Sequence, residues 1–170
     1  MTFGIEDLNV LDRRRIEATV LGPMLRAFQS EIGEERANDV AQGVLEQIAR
    51  EQGSAFRERV GSGDLEAFAG NRDAWRAGGA LETSVLASTR DRYDFDVSRC
   101  RYAEMYRELG CADLGMIFSC GRDFSFAHGF NPDVRLTRTQ TIMEGAPFCN
   151  FRYRLGERED GEEATDEGGG

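Results

Sequence analysis

The chain has 170 residues, 40% of them hydrophobic, and a net charge of -10, which suits one globular domain and leaves no electrostatic footprint for nucleic acid. Seven acids and one arginine fall between Glu157 and Glu167, so most of the excess charge sits in the last residues and the remainder is ordinary for a soluble domain. All 21 basic residues are arginine, which excludes Schiff-base and lysine-base chemistry because arginine stays protonated.

No apolar run reaches the ~18 residues of a spanning helix, and the start lacks the basic-then-apolar order of a signal peptide. A cytoplasmic protein without membrane association is expected. In that compartment the four cysteines read as thiols, ligands or a nucleophile rather than as disulfides.

Residues 5–29 carry apolar side chains at near-helical spacing, including Leu11, Ile16, Val20, Leu21, Met24, Leu25 and Phe28, and Gly22-Pro23 predicts a break or kink there. A second helix is expected over 30–52, with Val40, Val44, Leu45 and Ile48 in one stripe and Gly53 as its end. Asp64 is a candidate N-cap for a third helix that packs through Leu65, Phe68 and Trp75 and stops at Gly78-Gly79. Alternation begins at Leu81, and residues 93–97 extend that strand or form a second one. Helix returns over 98–110, and a more apolar helix is expected over 112–128.

Asn131-Pro132-Asp133 marks a turn. Residues 134–143 and 148–155 then alternate as two strands of an antiparallel hairpin joined at 144–147. From Gly156 onward the chain is acidic and glycine-rich, a disordered tail by composition. The organisation expected is a helical part over 1–80, an α+β part over 81–156 and the acidic tail over 157–170. The fold class is α+β: N-terminal helices and a small antiparallel sheet packed against helices, in a single domain.

Residues 100–154 hold Cys100, Cys111, Cys120, Cys149 and the one histidine, His128. On the 112–128 helix, Cys120 and Asp123 stand three apart, and Cys120, Phe124 and His128 four apart, so one face presents a thiol, a carboxylate and an imidazole. A thiolate there is a nucleophile that a base or cation activates. Alternatively Cys120 is a small core residue, and His128 is a cation at a helix C-terminus. Arg138 shares a strand face with Val134, Leu136 and Ile142, which calls for an anion: Asp123, a neighbouring acid, or a substrate carboxylate. Arg135, Thr137, Thr139 and Thr141 form the other face. The cysteine separations match no zinc ribbon or finger, and neither a P-loop nor GxGxxG is present, so no metal and no cofactor are expected.

Several ordered blocks carry a resemblance. Cys100-x-Tyr102-Ala103-Glu104-x-Tyr106-x-Glu108-Leu109-Gly110 is followed by Leu114-Gly115, Ser119-Cys120-x-x-Asp123 and Gly129-Phe130-Asn131-Pro132. Leu136-Thr137-Arg138-Thr139-x-Thr141-Ile142-Met143-x-Gly145 and Cys149-x-Phe151-Arg152-Tyr153 complete the set. Together they resemble the L-2-amino-thiazoline-4-carboxylic acid hydrolase family. The departure is Asn150, where an acid is expected in relatives. The resemblance implies hydrolytic opening of a small, carboxylate-bearing heterocycle at an amidine-like carbon, or a related cyclisation.

On that reading Cys120 attacks the carbon or shapes the pocket, and Asp123 or Glu104 shuttles the proton. Arg138 holds the substrate carboxylate, with Cys149, Cys100, His128 and Thr139 as further substrate-binding residues. The partner is then a small molecule, and a homodimer through the N-terminal helices is compatible with the size. The ending from Gly145 to Phe151 is also similar to 4-vinyl-reductase-like domains, which implies the rival function of a non-catalytic small-molecule-binding or scaffold domain. A thiolate metal site on Cys100, Cys120 and Cys149 is a third alternative.

Overall fold

The computed structural model describes residues 8–156; the expected acidic tail lies outside the described residues. Asn9 opens α1 (Val10–Ile32), its side chain accepting from the Asp12 amide at 2.9 Å, as an N-cap does. The break expected at Gly22-Pro23 does not occur, and α1 runs through it. Pro23 is exposed, so the carbonyl it leaves without a donor can turn to water.

Gly33, at φ +88°, separates α1 from α2 (Glu34–Val60). Gly53 does not end α2 but lies buried within it, where α2 crosses α6 (Arg122–Phe130). A Cβ at Gly53 would stand 2.1 Å from the Phe126 carbonyl oxygen, and one at Gly129 would stand 2.0 Å from that of Arg50. These reciprocal glycines let the two backbones touch, and α2 ends instead at Gly61 in the left-handed region.

The apolar stripes of the first two helices are only partly core. Ala18, Gly22 and Leu25 on α1, and Ala37, Leu45, Ala49 and Phe56 on α2, face inward. The bulkier Ile16, Val20, Met24, Phe28 and Ile32, with Val40, Val44 and Ile48, remain 38–60% exposed. Close helix packing selects small side chains at the contact and leaves the large ones outside.

Asp64 caps α3 (Leu65–Ala69), accepting from the Ala67 amide at 2.8 Å. The expected third helix is divided between α3 and α4 (Arg72–Arg76). The strands are β1 (Leu81–Ser88), β2 (Arg92–Cys100), β3 (Val134–Thr137) and β4 (Cys149–Leu155), in the order β1-β2-β4-β3 and antiparallel throughout. Residues 93–97 therefore belong to a second strand. α5 (Arg101–Glu108) follows β2, and the chain turns at Gly110 with φ +68°.

The expected 112–128 helix is not one α-helix. A 3₁₀ turn (Ala112–Leu114) leads into a π-helical turn (Met116–Cys120), where the Gly121 amide reaches the Met116 carbonyl at 2.7 Å, and α6 begins after it. The strand expected over 134–143 stops at Thr137. A loop over 138–148, with a 3₁₀ turn (Ile142–Glu144), replaces the tight hairpin connection, while the antiparallel pairing Val134↔Leu155 stands. Helices and sheet form one α+β body.

Candidate active site

Between the sheet and the helices lies a cavity of about 510 Å³. Phe95, Val97, Cys149, Phe151 and Tyr153 line it from the sheet. Arg13, Arg14 and Glu17 of α1 and Gln52, Phe56 and Arg59 of α2 form another wall. Trp75 of α4, Tyr102 of α5 and Cys120, Arg122, Asp123 and Phe126 enclose the rest.

The π turn sets the geometry of the reactive wall. It inserts a residue into the helical repeat, as such turns frequently do at functional sites, and delivers Cys120 and Asp123 to the cavity together. Arg138 locks them there. Its Nη1 donates to Asp123 Oδ2 at 2.5 Å and its Nη2 to the Cys120 carbonyl at 3.0 Å. The guanidinium is sandwiched between the rings of Phe124 and Phe151, at 5.1 and 5.0 Å from their centroids, a cation–π arrangement. The Arg138 side chain is only 2% accessible, whereas that of Asp123 keeps 36%. Asp123 is nonetheless deeply enclosed; its accessible surface is the surface it turns to the cavity.

Burial pushes the Asp123 carboxyl above the usual carboxylate range, against the opposing pull of Arg138. The thiols move the same way. Burial raises Cys100 to about 11. Cys120 goes higher still, through burial and then the charge of Asp123, and Cys149 rises chiefly through burial. Cys149 Sγ also accepts from the Ile142 amide at 3.1 Å. At neutral pH the three thiols are therefore protonated.

Of the residues named from the sequence, Cys100, Cys120, Asp123, Arg138 and Cys149 meet at this cavity. Glu104, His128 and Thr139 do not. Glu104 accepts from Arg99 at 2.8 and 3.2 Å in an open, mixed-charge depression bounded by Arg15, Arg76, Arg101 and Glu108. His128 is exposed in the last turn of α6, because the inward face of that helix carries Arg122, Ser125, Phe126 and Phe130 instead. Thr139 is exposed and bonded to Asn150, whose Oδ1 accepts from the Thr139 and Gln140 amides and whose Nδ2 donates to Thr139 Oγ1. A carboxylate at 150 could accept these amides but not donate to the hydroxyl.

Arg122 and Glu17 drew no reading from the sequence; Arg14 reads there as part of a solvated basic run, Arg13 to Arg15, and Trp75 as helix packing, whereas the fold turns Arg13, Arg14 and Trp75 to the cavity. Arg122 carried a faint signal, an arginine flanked by Cys120 and Asp123 on an otherwise apolar segment. Cys111 lies away from the cavity, packed in the core beneath α1 and α5. Among the described residues, no three His, Cys, Asp or Glu side chains are grouped as a metal ion requires, and no helix is long and apolar enough to cross a membrane.

The fold is that of an α+β domain with a cavity between its sheet and its helices. The chain belongs to the L-2-amino-thiazoline-4-carboxylic acid hydrolase family, whose sequence profile matches residues 13–153. No curated protein matches it. Among solved structures it is similar to the phenol-responsive sensory domain of the transcription activator PoxR with phenol. That match has TM-score 0.54 at 13% identity and covers 81% of this chain and 74% of the other. It is also similar to a trafficking protein particle complex subunit 3 from Naegleria fowleri covalently bound to palmitic acid. Here the TM-score is 0.50 at 11% identity, covering 84% of this chain and 97% of the other. At such identities these two establish the fold alone.

Proposed function

We propose that this protein is a hydrolase that opens a cyclic amidine bearing a carboxylate, with 2-amino-thiazoline-4-carboxylate as the model substrate, and that Asp123 is its base. One observation carries this reading. A carboxyl with raised proton affinity faces the cavity, fixed by Arg138, in a chain of the matching family. A base poised closer to neutrality is better matched to proton transfer at working pH than an ordinary aspartate.

Asp123 takes a proton from water as the oxygen bonds to the ring carbon between nitrogen and sulfur. The C=N bond becomes single as Asp123 passes that proton to its nitrogen. The ring carbon–sulfur or carbon–nitrogen bond of the tetrahedral species then breaks. Asp123 takes the proton of the added hydroxyl, whose oxygen becomes the carbonyl, and hands it to the leaving atom, and the product is an N- or S-carbamoyl amino acid heavier than the substrate by one water. Protonated thiols favour water as the attacking group, with Cys120, Cys100 and Cys149 as walls that keep bulk solvent out.

The test is mass spectrometry of substrate incubated with the protein in the presence of a chelator, for the wild type and Cys120→Ser. Conversion by both supports the water route. Conversion by the wild type alone, with the variant folded, moves the attack to the Cys120 thiol. Unchanged substrate in both contradicts the assignment.

A second reading is a non-catalytic small-molecule-binding domain. It draws on the three protonated thiols and on the ligands named for the two solved structures, phenol and palmitic acid. It requires saturable binding with no turnover of any amidine.

A further inference from the structure

The pair Asp123–Arg138 is neutral as a unit, so the unbalanced charge of the cavity lies elsewhere on its wall. Arg14 and Arg122 share one carboxylate, that of Glu17. Arg14 donates to it at 2.7 and 2.9 Å, while Arg122 stands 3.6 Å from it and reaches Gln52 at 3.2 Å. The Arg122 side chain is 6% accessible. Arg13 lines the same wall, and its buried Nε has no hydrogen-bond partner. Three guanidiniums against one carboxylate leave net positive charge on the wall of a partly open cavity, and the burial of Arg122 makes that charge costly until an anion meets it.

We propose that Arg122, with Arg14 and Arg13, receives the carboxylate of the ligand, and that the ligand carries an apolar body against Phe56, Trp75 and Phe126. This deepens the hydrolase reading and rests on it for the reacting end. It gives the carboxylate to Arg122 rather than to Arg138, whose fork already serves Asp123 and the Cys120 carbonyl. It also enlarges the substrate class. The cavity of about 510 Å³ falls in the ~300–1,000 Å³ range of sites for drug-sized ligands, well beyond one five-membered ring with two small substituents.

Calorimetric titration of the whole protein with 3-phenylpropionate and with its neutral amide tests this. The acid is expected to bind about tenfold or more tightly than the amide, and Arg122→Gln is expected to erase the preference. Equal binding of the two, binding of neither, or a preference that survives both Arg122→Gln and Arg14→Gln overturns the proposal. The wild-type comparison stands without any variant, so a misfolded variant cannot mask the answer. Acid preference without turnover of any amidine sinks the hydrolase reading and leaves this subsite; turnover without acid preference does the reverse.

On the outside of the molecule, Ile16, Val20, Met24, Phe28 and Ile32 of α1 and Val40, Val44 and Ile48 of α2 stand 38–60% exposed, and large apolar side chains gathered on one surface mark an interaction site. Both stripes belong to one helical hairpin, whose arms are tied by Gln29 Nε2 donating to Asn38 Oδ1 at 2.8 Å. Eight such side chains on two adjoining helices supply an apolar centre for a standard interface, to which each partner contributes ~800 Å². We infer that a second copy of this chain covers this face. Light scattering on the eluting wild-type protein is expected to give a dimer. Val20→Asp with Val44→Asp, which buries two charges per protomer, is expected to weaken it by roughly a hundredfold or more. A wild-type monomer at tens of micromolar, or a dimer indifferent to the double substitution, overturns the inference.

Discussion

Asp94 and Asp123 are both enclosed carboxylates paired with arginine, yet their surroundings drive them in opposite directions. Asp94 lies in β2 on the face of the sheet turned from the cavity. Arg154 grips both its oxygens and Arg92 adds a third bond at 2.7 Å. The carboxylate is 1% accessible, while the two arginines stay about half exposed, so the cations keep much of their hydration. Burial pushes Asp94 up, but the hydrogen bonds from Arg154 and Arg92 outweigh it and hold the group below the usual carboxylate range. Asp123 has one arginine, itself buried, and a surface left open to the cavity, and burial wins. A carboxylate given more donors than it needs is a structural clamp. One given fewer, beside a cavity, keeps the capacity to exchange a proton.

The largest effect expected from breaking this comparison is on Arg138. Arg138→Ala strands Asp123 without its cation and frees the Cys120 carbonyl, and should cost about 3–5 kcal/mol in denaturant unfolding. A loss below about 1 kcal/mol contradicts the role of Arg138 as the lock of the π turn. Next comes Gly53→Ala, which forces α2 off α6 and disturbs the wall carrying Asp123. It should cost about 2–3 kcal/mol by overpacking, whereas Gly43→Ala, whose Cβ meets nothing within 4 Å, should be neutral or slightly stabilising. Asp94→Asn should cost about 2 kcal/mol, read as a lower denaturation midpoint with an unchanged slope.

The smallest effects sharpen the contrast through pH. The lowered value of Asp94 means that its contribution is complete above the ordinary carboxylate value of ~3.9 and is lost as pH falls through the folded-state value. The raised value of Asp123 gives the opposite sign: its contribution is complete below the ordinary value and is lost as pH rises through the folded-state value. Unfolding free energies measured across the acid range should therefore flatten on the acid side in Asp94→Asn and on the neutral side in Asp123→Asn. The same change in both variants would contradict the assignment of the two environments.

Much of this was legible in the sequence, and the failures are instructive. Strand alternation and helical spacing carry the α+β class, because each element buries one face with its own period. Asp64 as a cap follows from local backbone chemistry. The π turn left no such trace. It shifts register without changing composition, and beyond it a face drawn in four-residue steps through Cys120, Phe124 and His128 drifts by about 40° per step against the 3.6-residue repeat, which put the imidazole at a site it does not reach. Gly53 reads as a helix end when judged locally; its actual cause, the Phe126 carbonyl on another helix, is tertiary. The stripes on α1 and α2 were visible, but apolarity does not say which face turns inward. Arg122 was missed because a single arginine on a helix is ordinarily solvated, and only the fold brings Arg14 and Glu17 to it.

The most direct test of the central claim is turnover of 2-amino-thiazoline-4-carboxylate by Asp123→Asn and Asp94→Asn, each normalised to folded protein by near-ultraviolet circular dichroism. Removing a proton-transfer group costs typically 10²–10⁴-fold in rate. A loss of about that size is expected in Asp123→Asn, which keeps its fold, and near wild-type turnover per folded molecule in the less stable Asp94→Asn. Full activity in Asp123→Asn would contradict it.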